Sequence, residues 1–227
     1  MPSRSSLSYA LGVREAQPDA ALDVEAAADL LAAGEVVAFP TETVYGLGAL
    51  ADDERAVRRV FELKRRPAKR ALTVHLADAA DADGFAARVT EPERRLMERG
   101  WPGPLTLVVP ARLQVSRLVT GGGATAGLRV PDHPVARELI RAVGRRLGRV
   151  AGIAAPSANP FGARPPVTAA QVRAGLGPGR YGVLDGGRCP GGVPSTVLAV
   201  SDDETFTVFR EGAIPPATLR RWLAGGA

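Results

Sequence analysis

Short apolar segments stopped by proline or glycine alternate in this chain with segments of helical period. That alternation limits the possible folds more than any other feature. Val36-Val37-Ala38-Phe39 reads as a strand halted by Pro40, and Leu72 to Leu76 as another, after the helix-ending Pro67. Leu105 to Val109, Gly127 to Val130 and Val150 to Ala155 add three more. The helices between them have legible starts: Asp23 as N-cap, Asp52 or Asp53, Thr90 with Glu93 at capping-box spacing, Asp132 ahead of Pro134, and Thr168. Pro40 to Ala51 reads as a loop. Short strands follow near Val183, Val197 and Val208, the last two joined as a hairpin, and Arg220 and Trp222 lie on a closing helix. Strands that alternate with helices early and pair as hairpins late predict an α/β fold, one domain with a mixed sheet flanked by helices. Residues 1–22 show no period and read as an N-terminal extension, 23–215 as the domain, and 216–227 as a C-terminal helix and tail.

Several classes of chemistry are missing from the sequence. Cys189 stands alone and His75 and His133 are the only histidines, which argues against a zinc cage, a C-x-x-C pair or a Ser-His-Asp triad. Neither lysine follows a glycine, so there is no P-loop. Gly46-Leu47-Gly48 follows a strand too distantly for a dinucleotide turn, and no acid closes the next strand. No apolar run is long enough to span a membrane and no signal peptide is apparent, so a cytoplasmic setting is the expectation. An enzyme with this inventory would work by positioning substrates and neutralising phosphate charge.

The basic residues point the same way. The chain has 29 Lys+Arg against 24 Asp+Glu, and only Lys64 and Lys69 are lysines. Eight basic residues fall between Arg55 and Arg70 with one acid, Glu62, among them. Such a cluster attracts phosphate-bearing partners. The loop Pro40-Thr41-Glu42-Thr43-Val44-Tyr45-Gly46 offers hydroxyls, a carboxylate and a phenol after a buried strand, where ligand loops of open sheets lie. Arg129 sits in an otherwise apolar strand, a position that calls for an anionic partner. Pro156-Ser157-Ala158-Asn159 ends another buried strand with two polar side chains.

Taken in order, PTETVYGLG, F-x-x-K-x-R-P from Phe61, Val74-His75, WPGPLT from Trp101, T-x-x-x-R-x-P from Thr125, PSAN, Ser195-Thr196-Val197 and Arg210-Glu211-Gly212 resemble the YrdC/YciO family. Its best-known members are threonylcarbamoyl-AMP synthases. The resemblance implies a YrdC-like fold, a twisted α/β sheet with a positively charged concave face, in the short, single-domain type. It implies a reaction of L-threonine, bicarbonate or CO2 and ATP, with Mg2+ accompanying the ATP, that releases pyrophosphate and threonylcarbamoyl-adenylate. That product serves the threonylcarbamoyladenosine modification at tRNA position 37, so tRNA threonylcarbamoyl-transferase proteins, and tRNA or double-stranded RNA, are expected partners.

By the same resemblance Thr43, His75, Arg129 and Ser195 hold threonine, with Arg129 facing its carboxylate. Lys64, Arg66, Arg70, Thr125, Ser157, Asn159 and Arg210 hold the nucleotide, and Lys64 and Arg66 are the catalytic cations. The carbamate formed on threonine attacks the α-phosphate, so the nucleophile is a substrate and no metal site on the protein is expected. An RNA-binding YciO-like paralogue with weak or different adenylation activity is the alternative reading. This chain departs from the family pattern at Arg70, where many members carry Asn, at Ala71 for Pro, and at Phe161 for Ser.

Overall fold

Among the described residues, the alternation of the sequence resolves into one nine-stranded mixed sheet with helices on both faces. A computed structural model describes residues 22–191 and 193–225, so most of the 1–22 extension lies outside the described residues. In chain order the first half is α1 (Val24–Ala32), β1 (Val37–Phe39), β2 (Gly46–Leu50), α2 (Glu54–Lys64), β3 (Thr73–His75), α3 (Glu91–Gly100) and β4 (Leu105–Pro110). The second half is β5 (Thr125–Arg129), α4 (Pro134–Leu147), β6 (Ile153–Ala154), α5 (Ala169–Leu176), β7 (Gly182–Val183), β8 (Thr196–Val200), β9 (Phe206–Arg210) and α6 (Pro216–Leu223). The strand order across the sheet is β7-β1-β2-β6-β3-β5-β4-β8-β9.

The caps form as their spacing requires. Asp23 accepts from the Ala26 amide, Asp53 from Ala56, and Thr90 and Glu93 close a reciprocal capping box. Strand alternation then splits the core in two. Ala38, Leu47, Val74, Leu76 and Leu128 pack against Val57 and Val60 of α2, Leu96 of α3 and Leu219 of α6. Val37, Phe39 and Ile153 pack on the opposite side against Leu31 of α1 and Leu139, Ile140 and Val143 of α4. The closing helix belongs to the core: Leu219 and Leu223 are buried, and Arg95 donates to the Leu223 carbonyl at 3.0 Å.

One segment corrects the sequence reading. Gly46 to Leu50, expected within a loop, is strand β2, antiparallel to β1 with Phe39 opposite Gly46 and Val37 opposite Gly48. Its two glycines hide the period of two, and Gly48 is required by packing, since a Cβ there would collide with Ile153 and Phe39. The loop proper is therefore only Pro40 to Tyr45, a hairpin connection.

The topology also fixes where a site can form. The α1–α4 pair covers the sheet around β7, β1, β2 and β6. β3 and β5 run parallel beside that layer with His75 opposite Arg129, and both residues alternate with the core-facing Val74 and Leu128.

Candidate active site

Residues from the hairpin loop, both parallel strands and two later loops enclose a cavity of about 380 Å3. Thr43, His75, Arg129, Ser195, Arg66, Ser157 and Arg210 all line it, together with Thr41, Thr73 and Pro194. The four residues assigned by resemblance to threonine and three of those assigned to the nucleotide thus share one space.

The strand-borne end is built from buried, mutually bonded groups. Thr41 Oγ1 accepts from the amides of Thr43 and Val44 at 3.2 Å and donates to the Val44 carbonyl at 2.6 Å, which folds the loop on itself. The Thr41 and Thr43 hydroxyls pair at 2.9 Å. The loop is also tied to the chain opposite: the Tyr45 amide donates to Pro166 O, the Ala158 amide to Tyr45 O, and the Tyr45 hydroxyl to Gly187 O. Arg129 donates through Nε to Gly103 O at 3.2 Å and through Nη2 to Thr43 Oγ1 at 3.4 Å. Gly103 belongs to the Trp-Pro-Gly-Pro turn, whose own amide is held by Val130 O, so that motif serves to fix the arginine. The anionic partner that a strand arginine calls for is Glu42, whose Oε1 lies 2.6 Å from Arg129 Nη2.

His75 is buried with Nδ1 unpartnered, and burial together with the Arg129 charge lowers its pKa to about 3. It is therefore a neutral imidazole at ordinary pH, held edge-on to Phe39. Ser195 Oγ shares a hydrogen bond with Thr106 Oγ1 at 2.9 Å and accepts from Arg210 Nη2 at 2.8 Å. Arg210 also grips the Ser195 carbonyl, and Gly212 has no room for a side chain against Pro194 and Ser195. Burial, and next the charge of Arg129, lower the pKa of Arg210.

The other end stands on loops. Arg66 donates to the carbonyls of Arg70 and Ala71 at 3.2 and 3.0 Å, and its guanidinium lies 5.8 Å from the centre of the Phe161 ring. Arg70 is exposed, outside the lining, and sits 5.9 Å from the same ring. Two of the departures noted in the sequence, Arg70 and Phe161, are therefore in contact with each other.

Three further expected residues lie elsewhere. Thr125 opens β5, exposed and outside the lining, four residues before Arg129. Asn159 lines an adjoining cavity of about 470 Å3 and donates to Pro160 O and Ala163 O. Lys64 is 1% exposed, and its ammonium is bound to the backbone carbonyls of Ser157 and Asn159. The Phe161 amide returns a bond to Lys64 O at 2.8 Å, so the end of α2 and the 157–161 segment are stitched together from both sides. Burial, and next the Arg66 charge, hold the Lys64 pKa down at about 7, against two carbonyls that favour the ammonium.

Glu42 and Thr106 are the contacts that sequence reasoning did not assign. The carboxylate of the loop was visible, and so was the need of Arg129 for an anion, but no spacing connects residues 87 apart.

An α/β protein whose cavity joins a buried arginine–hydroxyl end to an arginine-bearing loop end is equipped to hold two anionic small molecules side by side. The comparisons are specific. The Sua5/YciO/YrdC family model, described as telomere recombination, matches residues 29–212, and the chain belongs to that family. It is 46% identical over 178 residues to the threonylcarbamoyl-AMP synthase of Bacillus subtilis strain 168, covering 78% of this chain and 50% of that protein. It is 41% identical over 196 residues to the threonylcarbamoyl-AMP synthase of Pyrococcus abyssi, covering 85% of this chain and 54% of that one. The chain thus spans about half the length of these two relatives. Among solved structures, P. abyssi Sua5 complexed with L-threonine superposes with a TM-score of 0.81 at 39% identity, over 88% of this chain and 56% of that one.

Proposed function

We propose that this protein forms threonylcarbamoyl-adenylate from L-threonine, bicarbonate or CO2, and ATP, with release of pyrophosphate. The observation that carries the reading is the shared cavity. Thr43, His75, Arg129 and Ser195 meet Arg66, Ser157 and Arg210 in one space, in a chain whose relatives include proteins named for this activity. In this reading Arg129 takes the threonine carboxylate, a charge-assisted contact of the kind arginine makes best. The Thr43 and Ser195 hydroxyls and the neutral His75 serve the amino acid's polar groups.

The chemistry needs no nucleophile from the protein. The free amine of threonine adds to CO2 and loses a proton, giving a carbamate. A carbamate oxygen then attacks the α-phosphorus, the bond to the β-phosphate oxygen breaks, and pyrophosphate leaves with the displaced electron pair. Arg66 stabilises the charge that builds on the leaving group. Mg2+ enters with ATP as part of that substrate. Lys64 acts here by holding the Ser157–Asn159 backbone in place against the nucleotide rather than by touching phosphate itself.

The product is a reactive acyl-adenylate, and its consumption by the tRNA-modifying proteins that build threonylcarbamoyladenosine at position 37 completes the proposal. A cytoplasmic setting goes with it; no helix among the described residues is long and apolar enough to cross a membrane. The deciding assay is pyrophosphate release from ATP. It should require both threonine and bicarbonate, and release that ignores either would refute the assignment.

A further inference from the structure

The three arginines of the cavity wall have different partners. Arg66 donates to the carbonyls of Arg70 and Ala71, and Arg210 to the carbonyl and hydroxyl of Ser195. Neither forms an ion pair among the described residues. Arg129 faces a carboxylate, Glu42, and the two side chains are only 6% and 15% exposed. The contact is one of charge, because neither Glu42 oxygen accepts an aligned hydrogen bond. Arg129 lines the cavity and Glu42 does not, so the carboxylate backs the guanidinium from the side away from ligand.

That arrangement solves a problem of discrimination. A cavity that takes a monocarboxylate beside a triphosphate must keep the two anions at their own ends. The hydroxyls of Thr43 and Ser195 cannot do this, since they bond carboxylate and phosphate oxygens alike. Charge can. Arg129 and Arg210 line the same cavity, and the Arg129 charge helps lower the Arg210 pKa; without a counter-ion the two would form a doubly cationic clamp suited to a polyphosphate. With Glu42 in contact, the group of three carries about one net positive charge, enough for one carboxylate. The loop end, where Arg66 has no such counter-ion, keeps the stronger pull on phosphate.

We infer that Glu42 is a specificity-determining positioning residue: by neutralising Arg129 from behind, it reserves the strand-borne end of the cavity for a singly charged carboxylate and keeps polyphosphate out. The inference rests on the proposed function for the identity of the two ligands. It does not rest on it for the charge effect itself.

The test uses inorganic pyrophosphate as the probe, with calorimetry on the full chain. Glu42→Gln keeps the shape of the side chain and removes its charge. The variant should bind pyrophosphate at least ~10-fold more tightly than wild type, as loss of a contact charge at low effective dielectric requires. Threonine should compete with that added binding. Glu42→Asp, which keeps the charge, should stay within ~3-fold of wild type. An unchanged pyrophosphate affinity in a Glu42→Gln protein that melts like wild type would overturn the inference, and so would equal tightening in Glu42→Asp. Wild type supplies a check that needs no variant: saturating pyrophosphate should leave threonine affinity unchanged, and competition there would also overturn it. Should wild type bind no threonine at all, the proposed function fails while the pyrophosphate comparison of the variants still decides the role of Glu42.

Discussion

The two ends of the cavity are built differently. At one end Thr43, His75, Arg129 and Ser195 are all buried; Arg129 donates to Thr43 and to the Gly103 carbonyl, and Ser195 shares a hydrogen bond with Thr106. At the other, Arg66 sits after the helix α2 on a turn with Phe161, 45% exposed, beside it. Buried hydroxyls and a backed arginine can reject a ligand that fails to match them, because each unmatched polar group is left unpaired. A half-buried guanidinium beside an exposed aromatic ring supplies attraction with little shape. In the proposed function, selectivity belongs to the buried end and attraction of the nucleotide to the Arg66 end.

The largest effect should therefore be at the amino-acid end. 2-Aminobutyrate has the size of threonine without its hydroxyl, and should be turned over roughly 10⁴-fold less efficiently, whereas serine should be the best substitute. Equal kcat/KM for threonine and 2-aminobutyrate would break the comparison.

The next test reads the burial of that end through pH. The unfolded chain protonates His75 near 6.5, and the folded one not until about 3. Between those values the unfolded state binds more protons, so stability falls as the pH is lowered. Two units below the ordinary imidazole value the loss should be roughly 2 to 3 kcal/mol. Denaturant titrations of wild type and His75→Gln should diverge on acidification, with the variant showing the flatter profile. Parallel profiles would mean that His75 is open to solvent.

Lys64 sharpens the comparison from beneath the loop end. Its ammonium is bound to two backbone carbonyls in a fully buried position, where a larger guanidinium would have to displace its surroundings. Lys64→Arg should cost about 1 to 3 kcal/mol of stability through overpacking. In a chain of this length that lowers Tm by several degrees. Lys69→Arg, on the exposed turn, should be neutral in both Tm and activity. A Lys64→Arg protein with unchanged Tm and reduced kcat alone would place the ammonium on the phosphates after all. The smallest effect is expected from Phe161→Ser. Loss of the cation–π contact to the cavity-lining Arg66, worth about 0.5 to 1 kcal/mol, should raise the ATP KM only a few-fold and leave the threonine KM alone.

Much of this was legible in the residues. Caps such as Asp23, Asp53 and Thr90, and apolar strands halted by proline, placed the α-helices and most strands, because those signals are local. β2 was missed because Gly46 and Gly48 carry no side chain to display a period. The ordered motifs named seven residues that meet in one cavity. Lys64 was assigned to the nucleotide through the F-x-x-K-x-R-P resemblance, and a motif carries no direction for a side chain; only the fold shows that its ammonium turns inward to carbonyls. The role of Glu42 was invisible because the Glu42–Arg129 pair joins a hairpin loop to a strand from a distant part of the chain.

The division of the cavity is tested most directly by initial rates of pyrophosphate release, varied in threonine and in ATP, for wild type, Arg129→Ala and Arg66→Ala. Loss of a charge-assisted contact of about 1.5 to 3 kcal/mol corresponds to ~10- to 100-fold in the affected constant. Arg129→Ala should raise the threonine KM by that factor with the ATP KM within ~3-fold of wild type, and Arg66→Ala should do the reverse. If each variant raises both constants alike, the two ends are not separate sites and the account is wrong.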